Sequence, residues 1–82
     1  MLKIKLKTVY KRLNIDRRIK LLGHILKKQG AEWERLNFTE AAKALDVSRA
    51  QLARDCQALE SAKLIEVSYG KLRLASDIIE EE

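Results

Sequence analysis

The stretch NFTEAAKALDVSRAQLARDCQALESAKLI, residues 37–65, decides the fold expected of this chain. It contains two helix starts. Asn37 stands three positions before Glu40, and Ser48 three before Gln51. At that spacing a side-chain oxygen caps the unpaired N–H groups of a first turn, and a Glu or Gln can reach back to the cap. Beyond the first start, Ala41, Ala42 and Leu45 share one helical face; beyond the second, Leu52, Cys56 and Leu59 do. The spacing predicts a short helix over 38–45, an interruption at DVS, and a second helix over 49–62. Two helices joined by about three residues make a helix-turn-helix, whose second helix is free to enter a groove.

Upstream, Ile15, Ile19, Leu22 and Leu26 recur at helical spacing, with Leu21 and Ile25 widening the stripe. This predicts a helix over 15–29, capped by Asn14 or Asp16 and closed by Gly30 in a left-handed conformation. Downstream the period changes to two. Ile65, Val67 and Tyr69 alternate with Glu66 and Ser68, and Leu72 and Leu74 with Lys71, Arg73 and Ala75, which predicts a β-hairpin over 64–75. A two-residue or a three-residue loop fits its Tyr69-Gly70 tip. SDIIEEE, residues 76–82, is expected to be a frayed acidic tail, with Ile78 and Ile79 available to a partner chain. The opening stretch LKIKLKTVYKR lies in a basic N-terminal segment, 1–13, and has two competing periodicities. Leu2, Ile4 and Leu6 alternate with Lys3, Lys5 and Lys7, whereas Leu2, Leu6, Val9 and Leu13 fit a helix. The β-branched Ile4, Thr8 and Val9, with Tyr10, favour a strand over 2–9.

Three helices followed by a hairpin is the order of the winged helix-turn-helix domain, an α+β fold. Residues 37–65 resemble that family, with a register closest to DeoR-type repressor domains. Ala42 takes the small position between the two helices. Leu45, Val47, Leu52, Cys56, Leu59, Leu64 and Ile65 take the apolar ones, and Arg54 and Asp55 match the family's Arg-Asp pair. Asp46 stands where the family carries the glycine of the turn, and Asp tolerates the left-handed region at some cost. Lys63 replaces the glycine before Leu64-Ile65, so a less tight exit from the second helix of the motif is expected. The resemblance covers no sensor domain of the kind usual in DeoR-type proteins, and no small-molecule effector is expected. The resemblance implies that the second helix of the motif lies in the major groove and the wing beside the phosphate backbone or minor groove.

Composition sets the functional class. The chain has 82 residues, enough for one small domain, and 46% hydrophobic with 35% charged residues fits a globular protein. A single cysteine and a single histidine, Cys56 and His24, give no disulfide, no metal-ligand spacing and no nucleophile-base pair. No enzyme and no cofactor is expected. Cys56 is expected in the core as a small hydrophobe. No apolar run approaches the roughly 18 residues of a membrane span, and the expectation is a cytoplasmic, nucleoid-associated protein. The net charge of +5 is uneven, since residues 1–28 carry +9 and residues 29–82 carry −4. Such a split points to a polyanion, and the commonest is a nucleic-acid backbone.

The candidate DNA-binding residues fall in three groups. On the second helix of the motif, Ser48, Arg49, Ala50, Ala53, Arg54 and Gln57 turn outward when Leu52, Cys56 and Leu59 turn inward. Arginine can bond guanine and glutamine adenine, while the alanines allow close approach. On the wing they are Tyr69, Lys71 and Arg73; on the N-terminal segment, Lys3, Lys5 and Lys7. The bland reading of Arg49 and Arg54 is that they are solvated residues paired with Asp46 or Asp55. Trp33 is expected to plug the gap between helices. The expected partner is double-stranded DNA, bound by a homodimer, because paired half-sites multiply specificity. Two alternatives are a winged-helix protein–protein interaction module and a single-stranded nucleic-acid binder.

Overall fold

A computed structural model describes residues 1–81. It is a small α+β fold with four helices and an antiparallel hairpin near the C-terminus. In chain order the elements are β1 (Leu2–Ile4), α1 (Leu6–Arg12), α2 (Asp16–Gln29), α3 (Phe38–Leu45), α4 (Arg49–Ser61), β2 (Ile65–Ser68) and β3 (Lys71–Leu74). A 3₁₀ turn, Ser76–Ile78, and a last strand, β4 (Ile79–Glu81), complete it.

The two helices of the opening motif form where their caps place them. Asn37 accepts the Glu40 N–H at 3.0 Å and Ser48 the Gln51 N–H at 3.0 Å. Neither box is reciprocal: the Glu40 carboxylate pairs with Lys28, and the Gln51 amide turns to Asp55. Each helix ends on a left-handed residue. Asp46 (φ 56°) follows α3, with Val47 N–H donating to the Ala42 carbonyl; Lys63 (φ 60°) follows α4, with Leu64 N–H donating to that of Leu59. Both are Schellman closures. The turn geometry survives the replacement of glycine, at a conformational cost that Asp bears better than Lys. The expected cap of α2 is corrected: Ile15, not Asn14 or Asp16, holds the N-cap position, with no side-chain bond. Gly30 closes α2 at positive φ, but with ψ −128° it lies outside the expected left-handed helical conformation, in a region that glycine adopts readily.

Leu21, Leu22 and Ile25 of α2, Leu52 and Leu59 of α4, and Leu64, Ile65 and Leu74 around the hairpin make one fully buried core. In the hairpin Ile65 pairs with Leu74 and Val67 with Leu72. Tyr69 and Gly70 both have positive φ, which settles the loop as a two-residue turn of the type whose twist suits a hairpin. A short third segment joins it: Glu34 and Leu72 exchange both backbone hydrogen bonds, and the Gln29 amide also donates to the Leu72 carbonyl at 2.8 Å.

The ends of the chain differ from the sequence expectation. The strand expected over 2–9 stops at Ile4, and Leu6–Arg12 is helical, so there are four helices rather than three. The reason is non-local. Lys5 N–H donates to the Ile78 carbonyl at 2.6 Å, and the chain then turns so that Val9 is buried in the core. Nor is the acidic tail frayed. Ile78 is completely buried, and β4 pairs antiparallel with β1 in the register Leu2 with Glu81, Lys3 with Glu80 and Ile4 with Ile79. Ile78 therefore docks on its own core rather than on a partner chain. Glu82, the last residue of the expected tail, lies outside the described residues.

Candidate nucleic-acid interface

The expected reading face of α4 is largely on the surface. Ser48, Arg49, Ala50, Arg54 and Gln57 are exposed, while Ala53 is half-buried. Arg49 makes no hydrogen bond or ion pair among the described residues. Arg54 makes a weak one, from Nη2 to the Gln51 Oε1 at 3.4 Å. The pairing of these arginines with Asp46 or Asp55 does not form. The solvent face of α4 thus presents two guanidinium groups, the Gln57 amide and a small-residue gap.

Asp55, one residue beyond Arg54, has another role. It is the one buried charged residue among those described, 1% exposed, and its partners come from α2. Arg17 Nε donates to Oδ2 at 3.0 Å and Arg17 Nη2 to Oδ1 at 3.2 Å; Arg18 Nε donates to Oδ1 at 2.9 Å. The Gln51 amide adds a fourth bond to Oδ1 at 3.1 Å. Burial, the largest single influence, pushes the Asp55 carboxyl up. The hydrogen bonds from Arg17, Arg18 and Gln51, with the charge of Arg17, outweigh it and hold the group below its ordinary value. The carboxylate therefore stays ionised and locks α4 against α2. Sequence reading placed Arg17 and Arg18 only in a generally basic third. The signal that could have found them is Asp55 itself, an acid one turn after Gln51 and beside the apolar Cys56 on the inward face of a helix, which demands a cationic partner.

The hairpin residues separate. Tyr69 is at the tip and 97% exposed, and Lys71 is exposed beside it. Arg73 is engaged: its Nε donates to the Glu66 carboxylate at 2.8 Å, and its guanidinium lies over the Trp33 ring, 4.6 Å from the centroid. Trp33 is thus on the outer face of the hairpin, not in a gap between helices. The cause is the Glu34–Leu72 pairing, which brings the adjoining residue onto the sheet. Together Trp33, Ser68, Tyr69 and Lys71 line a shallow depression on that face.

The N-terminal lysines Lys3, Lys5 and Lys7 line one open depression, which Glu80 shares. Lys3 is on β1 and pairs across the strand with Glu80 at 3.5 Å; Lys5 precedes α1; Lys7 is exposed on α1. The terminal ammonium pairs with Glu81 at 2.7 Å, and Arg12 bonds Asp77 and the Lys63 carbonyl. Asp77 is held below its ordinary value, chiefly by the hydrogen bond from Arg12. The acidic end of the chain therefore covers much of the charge of the basic end. This sheet also lies away from the Asp55 network. Leu2 approaches Gly30 at the far end of α2, roughly 18 Å along the helix axis from Arg18 at 1.5 Å per residue.

Cys56 is buried, and its thiol is pushed up to about 11, by burial first and then by the charge of Asp55, so it is protonated at neutral pH. No helix among the described residues is long and apolar enough to cross a membrane. Comparison of the chain with family models, with curated proteins and with solved structures gives no match.

Proposed function

We propose that this chain is a winged helix-turn-helix protein that binds duplex DNA, acting as a small transcriptional regulator. The observation that carries the reading is the solvent face of α4, where Arg49, Ala50, Arg54 and Gln57 are exposed and no acid pairs with either arginine. Such a face presents fork-like donors suited to guanine edges or phosphates, on a helix whose neighbour is joined to it by a tight turn. The hairpin is the wing, with Tyr69 and Lys71 at its tip meeting the backbone or minor groove. Lys7 adds long-range attraction, whereas Lys3 is largely satisfied within the chain. As a homodimer, the protein would read paired half-sites; Leu6 and Tyr10, one turn apart on α1 and about half exposed, are apolar side chains left for a second copy.

The test is binding to random duplex DNA across a salt series, followed by selection of bound sites. Affinity that falls linearly with log salt, together with a selected palindrome, is the expected result. Absence of binding at about 50 mM salt would remove the proposal. A second reading, a protein–protein interaction module, is favoured by one feature. Leu36, Phe38, Ala53, Val67 and Leu72 give a mainly apolar wall to a groove of ≈ 320 Å³ between α4 and the hairpin.

A further inference from the structure

We infer that Arg17 and Arg18, held by Asp55 and Gln51, form a preorganised site for a backbone phosphodiester of the bound duplex, next to the reading face of α4. This inference rests on the DNA-binding reading above. Both guanidinium groups are only partly used. Arg17 spends its Nε and one Nη2 proton on Asp55, and its Nη1 group has no acceptor among the described residues. Arg18 spends its Nε alone, leaving both its terminal amino groups without an acceptor. The two side chains keep 42% and 21% of their surface in solvent, so their unspent donors border water, while Asp55 is buried beneath them.

The charge balance points the same way. A buried carboxylate needs one cation and here has two, so the cluster retains positive charge after its internal pair is satisfied. Arg54 adjoins the cluster through Gln51, whose amide donates to Asp55 while its oxygen accepts from Arg54. An arginine fixed by a carboxylate on one edge presents its other edge in a set orientation. Less side-chain entropy is then lost when it bonds a tetrahedral oxyanion. Asp55 and Gln51 are positioning residues here, and Arg17 and Arg18 make the contact. The network spans α2 and α4, so a strand bound at α2 would also fix the register in which α4 meets base edges.

Arg17→Gln tests the site, since its amide can still donate to Asp55 while the charge is gone. Binding of a random 20-base-pair duplex is measured across salt by fluorescence anisotropy, with thermal unfolding as the check of fold. The slope of log K against log salt is expected to become shallower by about 0.9, one phosphate contact, with Arg17→Lys restoring most of it. In parallel, the Arg17 and Arg18 Nε–H resonances of the unmodified protein are followed as the same duplex is added, and both are expected to shift. This measurement needs no variant to fold. An unchanged slope in folded Arg17→Gln, or arginine resonances that stay fixed while the duplex binds, overturns the phosphate site and leaves the DNA-binding reading standing. Failure of the unmodified protein to bind duplex at all overturns both.

Discussion

The first 12 residues and the α2–α4 corner are both rich in cations, and the fold treats them in opposite ways. At the terminus, Lys3, Arg12 and the N-terminal ammonium meet Glu80, Asp77 and Glu81, which the 3₁₀ turn and the last strand carry back across the chain. At the corner, two arginines share one buried carboxylate, and Arg49 and Arg54 have no acid at all. Charge density along the sequence therefore does not rank the surfaces on which a polyanion can land. What ranks them is where the counter-acid ends up, and a partner many residues distant decides that.

The comparison breaks first if the tail is not part of the fold. Ile78→Ala removes a fully buried side chain and is expected to cost about 3 kcal/mol, lowering Tm by roughly 15 °C in a domain of this size. A frayed tail would show no change in thermal unfolding. Next is Asp55→Asn, which leaves Arg17 and Arg18 facing a neutral amide and is expected to cost about 2 kcal/mol. This loss has a pH signature. The folded carboxyl lies below its ordinary value, so its contribution is complete above about pH 5, where the unfolded group at roughly 3.9 is already ionised. It is lost as pH falls through the folded value. Denaturant titrations should show the variant and the unmodified protein converging in stability as pH falls below about 4.

Smaller effects of opposite sign belong to the two turns. Lys63→Gly relieves a left-handed backbone and is expected to stabilise by about 0.5–1 kcal/mol, with less from Asp46→Gly because Asp tolerates that region better. Denaturant midpoints would register both. Smallest of all is Glu80→Ala, which removes one ion-pair partner of Lys3 at an exposed strand pair. It should alter stability by less than about 0.5 kcal/mol and yet increase duplex affinity slightly, by removing one negative charge from the basic N-terminal surface.

Local signals carried the middle of the chain. Asn37 and Ser48 announce the starts of α3 and α4, the hydrophobic period changes where α4 gives way to β2, and Gly70 marks the turn. In each case the deciding atoms lie within a few positions of one another. The ends were not legible for the opposite reason. Leu2–Ile4 is a strand and Leu6–Arg12 a helix because Ile78 and β4 lie beside them, and no local preference of LKIKLKTVYKR encodes a partner more than 70 residues away. The candidate site divides likewise. The outward residues of α4 follow from helical periodicity. The bond of Arg17 to Asp55 spans 38 positions and depends on how α2 crosses α4.

The most direct measurement compares the two basic regions in one assay. Binding of a random duplex across salt is followed for the unmodified protein, for Arg49→Ala with Arg54→Ala, and for Lys3→Ala with Lys5→Ala and Lys7→Ala. The predicted result is that the arginine pair costs at least about tenfold in affinity at roughly 100 mM salt, a loss of about 1.4 kcal/mol or more, while the lysine triple costs less. Equal or greater loss in the lysine triple, or no duplex binding by the unmodified protein, would contradict the assignment of α4 as the DNA-binding face.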